Sequence, residues 1–490
     1  MLRAGEQDPR AMSHPVHTHP DSNPIVIVGA GVFGISTALA LLRRPLRGRK
    51  QPQARESSFI SATASKSSSQ SSASSVPSSI LSSNPILLLD AASELPNPVG
   101  SSVDSSRIIR ADYADEVYTD LAREAQEWWQ NRQPLGEEEG GSQNQDKVNN
   151  GWGGERRYTR SGFVLVADDD SAEKGGEGGG GNAGQWYVEQ AIKNNAMRNE
   201  KDENGSEKEK ETPRLRILHD VEAIKNVTGF DGSGSGLGRS GYVNWQSGWA
   251  HAQDSVRYAL NEIQRRDYNG RVTIRTGANV RRLLFHSSHY EDSATTFAFF
   301  PPTDHAKSRC TGVELATGEL IKASVVILAT GAWTPTLVDL RGRANATGQV
   351  LVYMDLTEAE QSAMGDKPVF MNMSRGLFVI PPRDRELKVA RHGFGYQNPN
   401  KMPVPRVDHL NKDAKGGMDE KMEISVPATT IPVPAEGEKA CRDLLRDIFA
   451  DPALSERPFS RTRICWYCDT YVLRWPFLSA VKNRSRLRSC

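Results

Sequence analysis

Three glycines near the start of the chain have the clearest chemical potential. Gly29, Gly31 and Gly34 form the pattern G-x-G-x-x-G directly after an apolar run, residues 25–28. This spacing is typical of a dinucleotide-binding turn, in which the glycines allow a tight turn, close approach of the backbone to a pyrophosphate and close helix packing. The unpaired N–H groups of the following helix favour an anion. The sequence therefore predicts a nucleotide diphosphate site.

A membrane anchor is the alternative interpretation of residues 24–42. The apolar run only just reaches the roughly 18 residues that a spanning helix needs. Three glycines in its middle lower its hydrophobicity and its helix propensity. We therefore expect a strand, a turn and a helix rather than a membrane span.

A dinucleotide site of this kind needs an acidic residue about 20 positions after the glycines, where the next strand ends. Asp90 ends the apolar run 85–89, but it lies 56 residues after Gly34. Of these, the 38 residues 46–83 are basic and then serine-rich, which leaves 18. Such a composition cannot bury enough apolar surface to fold, so it predicts a disordered insert in a βαβ unit.

The overall composition limits the classes of function. The chain has 490 residues, a formal net charge of +1 and a mean hydropathy of −0.55, so no net field attracts it to nucleic acid or to an anionic membrane. Five cysteines in a chain of this length do not indicate a secreted disulfide framework. Residues 1–23 contain three histidines and no apolar signal peptide. We expect an intracellular protein with a flexible tail and no metal site there.

Further elements position these residues. Apolar periodicity predicts a helix over 115–129, with Val117, Leu121, Ala125 and Trp128 on its apolar positions, and another over 252–265. Buried strands are predicted at 158–167 and 323–328, and further strands at 271–276, 280–285, 348–356, 377–380 and 387–390. The fold class predicted is α/β plus α+β: a Rossmann-like nucleotide domain and a second domain with an antiparallel sheet.

Several motifs together carry a family resemblance. In chain order they are Gly29-Ala-Gly-Val-Phe-Gly, Asp104-Ser-Ser-Arg-Ile-Ile-Arg, Gly248-Trp-Ala, Ala329-Thr-Gly-Ala-Trp, Leu387-Lys-Val-Ala-Arg-His and Arg463-Ile-Cys-Trp-Tyr. The chain thereby resembles the monomeric sarcosine oxidase group of FAD-dependent amine oxidases, with its fungal saccharopine, pipecolate and fructosyl amino acid oxidases. The resemblance implies an FAD enzyme that oxidises a secondary amine or N-substituted amino acid to an imine and reduces O₂ to hydrogen peroxide. It also implies a monomer that binds a small amine substrate, but no nucleic acid and no membrane.

The resemblance also assigns roles to residues. Arg107 would lie against the flavin and Arg110 would bind the substrate carboxylate; because they are three apart, one helical turn would place both on one face. Lys388 would activate oxygen and His392 would stand beside it, although a lone histidine is more often structural. Further contacts to FAD are expected from Gly29, Gly31, Gly34, Asp90, Ser106, Val280, Gly331 and Trp333.

Cys465 matches the cysteine that forms a thioether with the flavin in this group. The alternative is that Cys465 and Cys468 form a C-x-x-C redox or zinc pair. We favour the flavin link, because no second cysteine pair completes a zinc site and no thioredoxin-like pattern surrounds the motif.

The domain organisation follows from these matches. We expect a tail at 1–23, an FAD-binding domain at 24–135 and 212–345, a largely disordered region with one strand at 136–211, a substrate-binding domain at 346–460 and a covalent-flavin segment at 461–490. The last residues lack the glycine-rich segment of the group, so we expect its C-terminal part to be missing and the activity of this form to be uncertain. An inactive flavoprotein and an NAD(P)-dependent dehydrogenase are the alternatives. The compartment is expected to be cytoplasmic or peroxisomal, without a terminal targeting tripeptide.

Overall fold

The computed structural model describes residues 23–42, 78–130, 151–168, 181–201, 214–287, 308–405 and 421–470. The first half contains β1 (Ile25–Val28), α1 (Val32–Leu42), α2 (Ser78–Ser83), β2 (Ile86–Leu89), β3 (Arg107–Ile109), α3 (Glu116–Trp129), β4 (Tyr158–Thr159), β5 (Phe163–Ala167), α4 (Gly181–Lys201), β6 (Leu215–Leu218), α5 (Val221–Thr228), β7 (Ser240–Asn244), β8 (Gly248–Ala250) and α6 (Ala252–Arg266).

The second half is mostly strands. It contains β9 (Val272–Arg275), β10 (Val280–Ser287), β11 (Ser308–Leu315), β12 (Leu320–Lys322), β13 (Val325–Leu328), β14 (Ala344–Asp355), α7 (Glu358–Met364), β15 (Val369–Asn372), β16 (Leu377–Arg383), β17 (Glu386–Tyr396), β18 (Pro399–Pro403), β19 (Lys421–Ser425), α8 (Ala435–Ile448), α9 (Pro452–Ser455) and β20 (Arg461–Thr470).

A parallel sheet of four strands, ordered β13-β1-β2-β9, forms the centre of the part of the fold that contains the glycine turn. All four residues of β1 are buried, as expected for a β-branched run covered on both faces. On one face the sheet packs against α1 and α6, and on the other against β10 and β11. The predicted strand, turn and helix of residues 25–42 and the ordinary βαβ unit are therefore present.

The second sheet has eight strands in the order β20-β14-β17-β16-β15-β5-β7-β6. It is mixed, because β15 runs parallel to β5 while the other pairs are antiparallel. The strands predicted at 348–356, 377–380 and 387–390 do pair antiparallel, but the sheet that contains them also has one parallel pair, which the prediction lacked. Strands β5, β6 and β7 come from residues 163–244, so this sheet also uses chain segments that we had placed outside the substrate domain. Helices α5 and α8 cover one of its faces.

The conformation around Arg107 also differs from expectation. Residues Arg107–Ile109 form the strand β3, which pairs with β8, and not a helical turn. In a strand, positions three apart point to opposite faces. The two arginines therefore enter the site from different sides, and the helical argument for their common face was wrong. The β-branched Ile108 and Ile109 favour this extended form.

Two further differences concern helices. Helix α3 has the predicted bounds and is capped by Asp115, but Val117 and Leu121 on its apolar positions are exposed, whereas Thr119 and Gln126 are buried. Helix α4 lies in the region 136–211, where we expected one strand only; that strand is divided into β4 and β5 by a turn at Gly162. In the predicted insert 46–83, the last six residues form α2.

Several expectations fall outside the part of the chain that the structure describes. These are the tail 1–22, most of the serine-rich insert, and residues 471–490, to which the expected loss of the family's C-terminal part refers. Among the helices that are described, none combines the length and the apolar character needed to cross a membrane.

Candidate active site

The glycine turn lies between β1 and α1, and its geometry requires glycine. Gly29 has a φ of +102°, and a Cβ there would meet the carbonyl oxygen of Ala329 at 2.4 Å. A Cβ on Gly34 would meet the carbonyl oxygen of Gly29 at 1.8 Å. Among the described residues, the N–H groups of Gly31, Phe33 and Gly34 find no acceptor. The turn therefore offers free donors at the positive end of a helix, which suits a diphosphate.

Asp90 lies beside this turn because β2 pairs in parallel with β1. Its carboxylate accepts hydrogen bonds from the backbone N–H groups of Ala30 at 2.7 Å and Ala92 at 2.9 Å, and from Asn97 at 2.9 Å. A carboxylate has roughly four acceptor positions, so one remains for a hydroxyl. The structure thus places the predicted acidic residue next to the predicted glycines, although 56 residues separate it from Gly34.

The carboxyl end of β13 lies on the other side of β1, where Ala329 contacts the glycine turn. Gly331 follows with a φ of +51° in a short 3₁₀ turn. Trp333 packs against Ile464 and Trp466 of β20. Val280 begins β10, and its side chain lies in the core with Val28. Gly331 and Trp333 therefore lie close to the predicted site, whereas the Val280 side chain is part of the core and only its backbone could contact FAD, as predicted.

One face of three neighbouring strands carries the charged part of the site. Because Tyr353 on β14 lies opposite Lys388 on β17, and Gln349 opposite Cys465 on β20, these side chains point to the same face of the sheet. The intervening residues, such as Val350, face the other way into the core. Strand alternation thus separates the chemistry from the hydrophobic core.

The buried carboxylate of Asp104 binds three side chains of the site. Asp104 accepts hydrogen bonds from Lys388 Nζ at 2.6 Å, from the Tyr353 hydroxyl at 2.6 Å and from Arg107 Nη1. Lys388 Nζ also donates to the carbonyl oxygen of Ser106 at 2.7 Å. Asp104 and Lys388 side chains are 0% and 2% exposed. The loop before β3 is thereby fastened to the eight-stranded sheet.

For both Asp104 and Lys388, burial and the opposite charge of the partner shift the pKa in opposite directions. Burial lowers the pKa of Lys388 to about 8, and Arg107 acts in the same direction, while Asp104 opposes both. Burial alone would raise the pKa of Asp104, but Lys388 and Arg107 together hold it below its usual range. At neutral pH we therefore expect a charged lysine that can release its proton a little above pH 8.

Arg107 connects this cluster to Cys465. Its Nη2 lies 3.2 Å from Cys465 Sγ and 2.8 Å from the carbonyl oxygen of Ser101. Cys465 is buried, and Cys468, three residues on, points away from it as strand alternation requires. Both are free cysteines. In the described chain no cluster of three His, Cys, Asp or Glu residues could hold a metal ion.

Arg110 enters from the other side of β3 and makes different contacts. Its guanidinium lies 4.4 Å from the ring centroid of Tyr113, 5.3 Å from that of Phe163 and 5.8 Å from that of Tyr187. It donates to the hydroxyl of Tyr187 and to the carbonyl oxygen of Asp112. In the part of the chain described, Arg110 makes no ion pair with a carboxylate. It is therefore a cation held by neutral groups.

The carboxylate of Asp112 binds other side chains and not Arg110. It accepts hydrogen bonds from the hydroxyl of Ser247 at 2.6 Å, from Tyr242 at 2.9 Å and from Asn244 at 2.9 Å. Burial raises its pKa despite these bonds. This fixes the backbone next to Arg110.

His392 and Tyr467 complete the surroundings, with ring centroids 6.0 Å apart. His392 keeps accessible surface although protein surrounds it, and this enclosure lowers the pKa of its imidazole. Arg107, Arg110 and Tyr467 also keep part of their surface. These four side chains are neighbours that keep accessible surface beside the buried Cys465 and Lys388, and we call this group the site recess.

The segment 97–107 joins the two halves of the site. Asn97 binds Asp90, Ser102 Oγ accepts from the Val32 N–H at 3.0 Å, and Ser101 accepts from Arg107. Arg463 of β20 donates to the carbonyl oxygens of Val103 and Gly100. One loop therefore runs from the glycine turn to the site recess and connects Asp90 with Arg107.

Sequence reasoning did not single out four residues of this site. Asp104 stood in a quoted motif without a role, and Tyr353 lay in a strand that looked structural. Tyr187 lies in the unpredicted α4. The buried indole N–H of Trp249 has no hydrogen-bond partner within the described residues. The strand register of Tyr353 against Lys388 is the signal that could have found the first two.

Comparisons with known proteins agree with this arrangement. Residues 81–468 match the family model described as FAD dependent oxidoreductase. The chain is 24% identical over 481 residues to the amino acid oxidase imqH of Aspergillus flavus, covering 92% of this chain and 84% of that protein. It is 22% identical over 511 residues to the amino acid oxidase fsqB of Aspergillus fumigatus, with the same coverage.

Solved structures share the fold. Fructosamine oxidase (Amadoriase II) from Aspergillus fumigatus aligns with a TM-score of 0.57 at 22% identity, covering 92% of this chain and 76% of that one. A modified fructosyl peptide oxidase from Aspergillus nidulans aligns with a TM-score of 0.59 at 20% identity, covering 92% and 81%. At these identities the likeness concerns the fold.

The buried carboxylate yields a stability prediction. Asp104→Asn leaves Lys388 and Arg107 without their shared counter-charge, so we expect the free energy of unfolding to fall by about 3 to 5 kcal/mol. Between about pH 7 and about pH 9 the deficit should shrink, because loss of the carboxylate lowers the pKa of Lys388 further. The folded variant then releases the lysine proton at a lower pH than the folded parent, while both unfolded chains keep it. Urea unfolding at the two pH values measures both effects.

The control is Asp339→Asn, which removes another aspartate paired with an arginine, but at the surface. It should cost less than about 1 kcal/mol. Equal costs for both variants would contradict the role of Asp104 as a buried counter-charge.

Proposed function

The chain belongs to the FAD dependent oxidoreductase family, and from this premise we propose that it is an oxidase of a secondary amine or N-substituted amino acid. The substrate is of the sarcosine, pipecolate, saccharopine or fructosyl amino acid type. The products are an imine, which hydrolyses, and hydrogen peroxide. The observation that carries the proposal is the convergence of Arg107, Lys388 and Cys465 on one recess that a single loop connects to the glycine turn.

The residues present fit FAD. The free N–H groups of the glycine turn would hold the diphosphate, and Asp90 would hold the ribose with its remaining acceptor position. Ser106, Arg107, Gly331, Trp333 and Cys465 would surround the isoalloxazine, with the Cys465 sulfur forming the thioether. When bound, FAD supplies the acceptor for the hydride equivalent and passes the electrons to O₂. The four-stranded sheet is then the core of the FAD-binding part, and the eight-stranded sheet that of the substrate-binding part.

The chain's own side chains have distinct tasks in this proposal. Arg110, a cation with neutral neighbours, binds the substrate carboxylate. Lys388 keeps its proton through Asp104 and the Ser106 carbonyl, and so provides a fixed positive charge for the oxygen step. His392 lines the recess and contacts the bound amine. Burial of the cations in a site of low dielectric strengthens each of these interactions.

The relatives support the substrate class. Two are named amino acid oxidases, and solved structures with this fold are fructosamine and fructosyl peptide oxidases. The amino acids and peptides in three of these names carry a carboxylate, for which a carboxylate-binding arginine is suited.

A peroxide-coupled screen of the full chain tests the function. We expect a yellow protein that forms hydrogen peroxide with at least one of sarcosine, pipecolate, saccharopine and a fructosyl amino acid. A yellow protein that forms peroxide with none of them would contradict the oxidase proposal. A colourless protein that is active only with NAD(P)H would contradict the assigned cofactor chemistry.

Cys465 can be tested separately. Cys465→Ser should abolish the yellow colour that remains with the protein after acid precipitation, because the thioether cannot form. Cys468→Ser is the matched control, since it removes a cysteine of the same strand that faces away from the recess. Acid-stable colour in Cys465→Ser, or its loss in Cys468→Ser, would disprove the link through Cys465.

Lys388 is tested through the oxygen step. Lys388→Met should leave the anaerobic bleaching of the flavin by substrate largely intact but slow reoxidation in air by roughly 10² to 10³-fold, the effect of removing one group that stabilises developing charge. Stopped-flow absorbance separates the two half-reactions. Lys439→Met, which removes an exposed lysine, should change neither.

The pH dependence provides a second test of Lys388. Because its pKa is about 8, reoxidation of the parent protein should slow as the pH rises through that value and the ammonium loses its proton. In Lys388→Met this dependence should disappear. A variant that reoxidises at the parent rate would remove Lys388 from the oxygen step.

A further inference from the structure

Helix α4 holds the backbone that follows Arg110. The amide of Asn195 donates to the carbonyl oxygen of Ala111 at 3.2 Å, and that of Asn194 donates to the carbonyl oxygens of Tyr113 and Ala114 at 3.1 and 3.0 Å. Both asparagines are 2% exposed. A helix whose buried amides bind three carbonyl groups within residues 111–114 holds this segment in place, so Arg110 projects from a fixed base.

Tyr187, about two turns earlier along α4, contacts the guanidinium itself. Its hydroxyl lies 3.2 Å from Nη1 and 3.3 Å from Nη2 of Arg110, and it donates to the carbonyl oxygen of Asp112 at 3.2 Å. A phenol has one donor and can accept two hydrogen bonds, so all three interactions can be made together. Tyr187 is 1% exposed. The hydroxyl therefore sits in the notch between the two terminal nitrogens.

Two N–H groups of the Arg110 guanidinium have no acceptor among the described residues. A guanidinium has five N–H groups. Nη1 is used by Asp112 and Tyr187, and Nη2 gives one hydrogen to Tyr187. The Nε hydrogen and the second Nη2 hydrogen, which lie side by side, have no acceptor among the described residues. This side-on edge matches the two oxygens of a carboxylate.

We propose that Tyr187 is a positioning residue that fills the end-on edge of the Arg110 guanidinium and leaves the side-on edge for the carboxylate of the substrate. The inference rests on the proposed function, because it assumes that Arg110 binds a carboxylate. Tyr187 does not touch the substrate in this arrangement. It acts by removing the competing orientation of the guanidinium.

The test compares two probes of equal shape, benzoate and benzamide, titrated against the flavin absorbance of the full-length holoprotein. In the parent, benzoate should bind more tightly than benzamide. Tyr187→Phe should raise the Kd of benzoate roughly tenfold, because the guanidinium is no longer held in the orientation that offers its side-on edge, and leave that of benzamide unchanged. With a carboxylate substrate, KM should rise while kcat changes less than about threefold. Arg110→Met should weaken benzoate binding further.

Tyr113→Phe is the matched control. Tyr113 packs its ring on the same guanidinium, but its hydroxyl makes no hydrogen bond to Arg110. This variant should keep the Kd of benzoate within about twofold of the parent value. An equal loss in Tyr113→Phe and Tyr187→Phe would overturn the inference.

Three further outcomes decide the question. An unchanged benzoate Kd in Tyr187→Phe, or an equal loss for benzoate and benzamide, overturns the positioning role and leaves the proposed oxidase function intact. A Tyr187→Phe protein that does not fold or bind FAD also counts against the inference, because a positioning hydroxyl is not needed for folding. A parent protein that binds both probes equally overturns the carboxylate site and this inference together, whereas peroxide formation in the screen tests the oxidase reaction independently.

Discussion

The site depends on one buried interaction, in which the Asp104 carboxylate holds Lys388, Arg107 and Tyr353. Removing two cations from water is expensive, and a shared carboxylate with good geometry offsets that cost. Tyr353 and Lys388 are cross-strand neighbours in the eight-stranded sheet, whereas Asp104 comes from a loop some 250 residues before Tyr353 in the chain. A single carboxylate therefore fastens the nucleotide-side loop to the eight-stranded sheet and keeps the lysine charged near neutral pH.

The loop that carries Asp104 makes the rest of the site possible. It touches the glycine turn through Ser102 and β20 through the carbonyl oxygens that bind Arg463. Arg463 and Cys465 alternate on the same face of β20, so the contact that holds the loop also fixes the strand that presents the sulfur. Displacement of this loop would disturb both halves of the site together, because the loop contacts the glycine turn as well as β20.

Short sequence patterns predicted those parts of the site whose geometry depends on residues close together in the chain or on strand order. The glycines and Asp90 were predictable because turn geometry and parallel pairing depend on residue type and strand order alone. The helical placement of Arg107 and Arg110 failed because spacing by three fits either a helix or the two faces of a strand. Tyr187 was missed because α4 is flanked by glycine-rich and charged sequence, and its contact with Arg110 spans 77 residues. Such contacts depend on tertiary packing, for which a single sequence contains no direct signal.

The cations on the two sides of the recess differ in their partners. Under the proposed function, this difference fits their separate tasks in the oxygen step and in substrate binding. Lys388 and Arg107 share one carboxylate, so both are already paired, and the three groups together keep a single net positive charge. Arg110 meets only a hydroxyl, a carbonyl oxygen and aromatic rings, while the nearby Asp112 carboxylate is occupied by Ser247, Tyr242 and Asn244. A buried cation without a bound carboxylate gains most from an anionic ligand, because that ligand replaces lost hydration. Under the proposed function, we therefore expect the substrate carboxylate on the Arg110 side, with the charge of Lys388 serving the oxygen step.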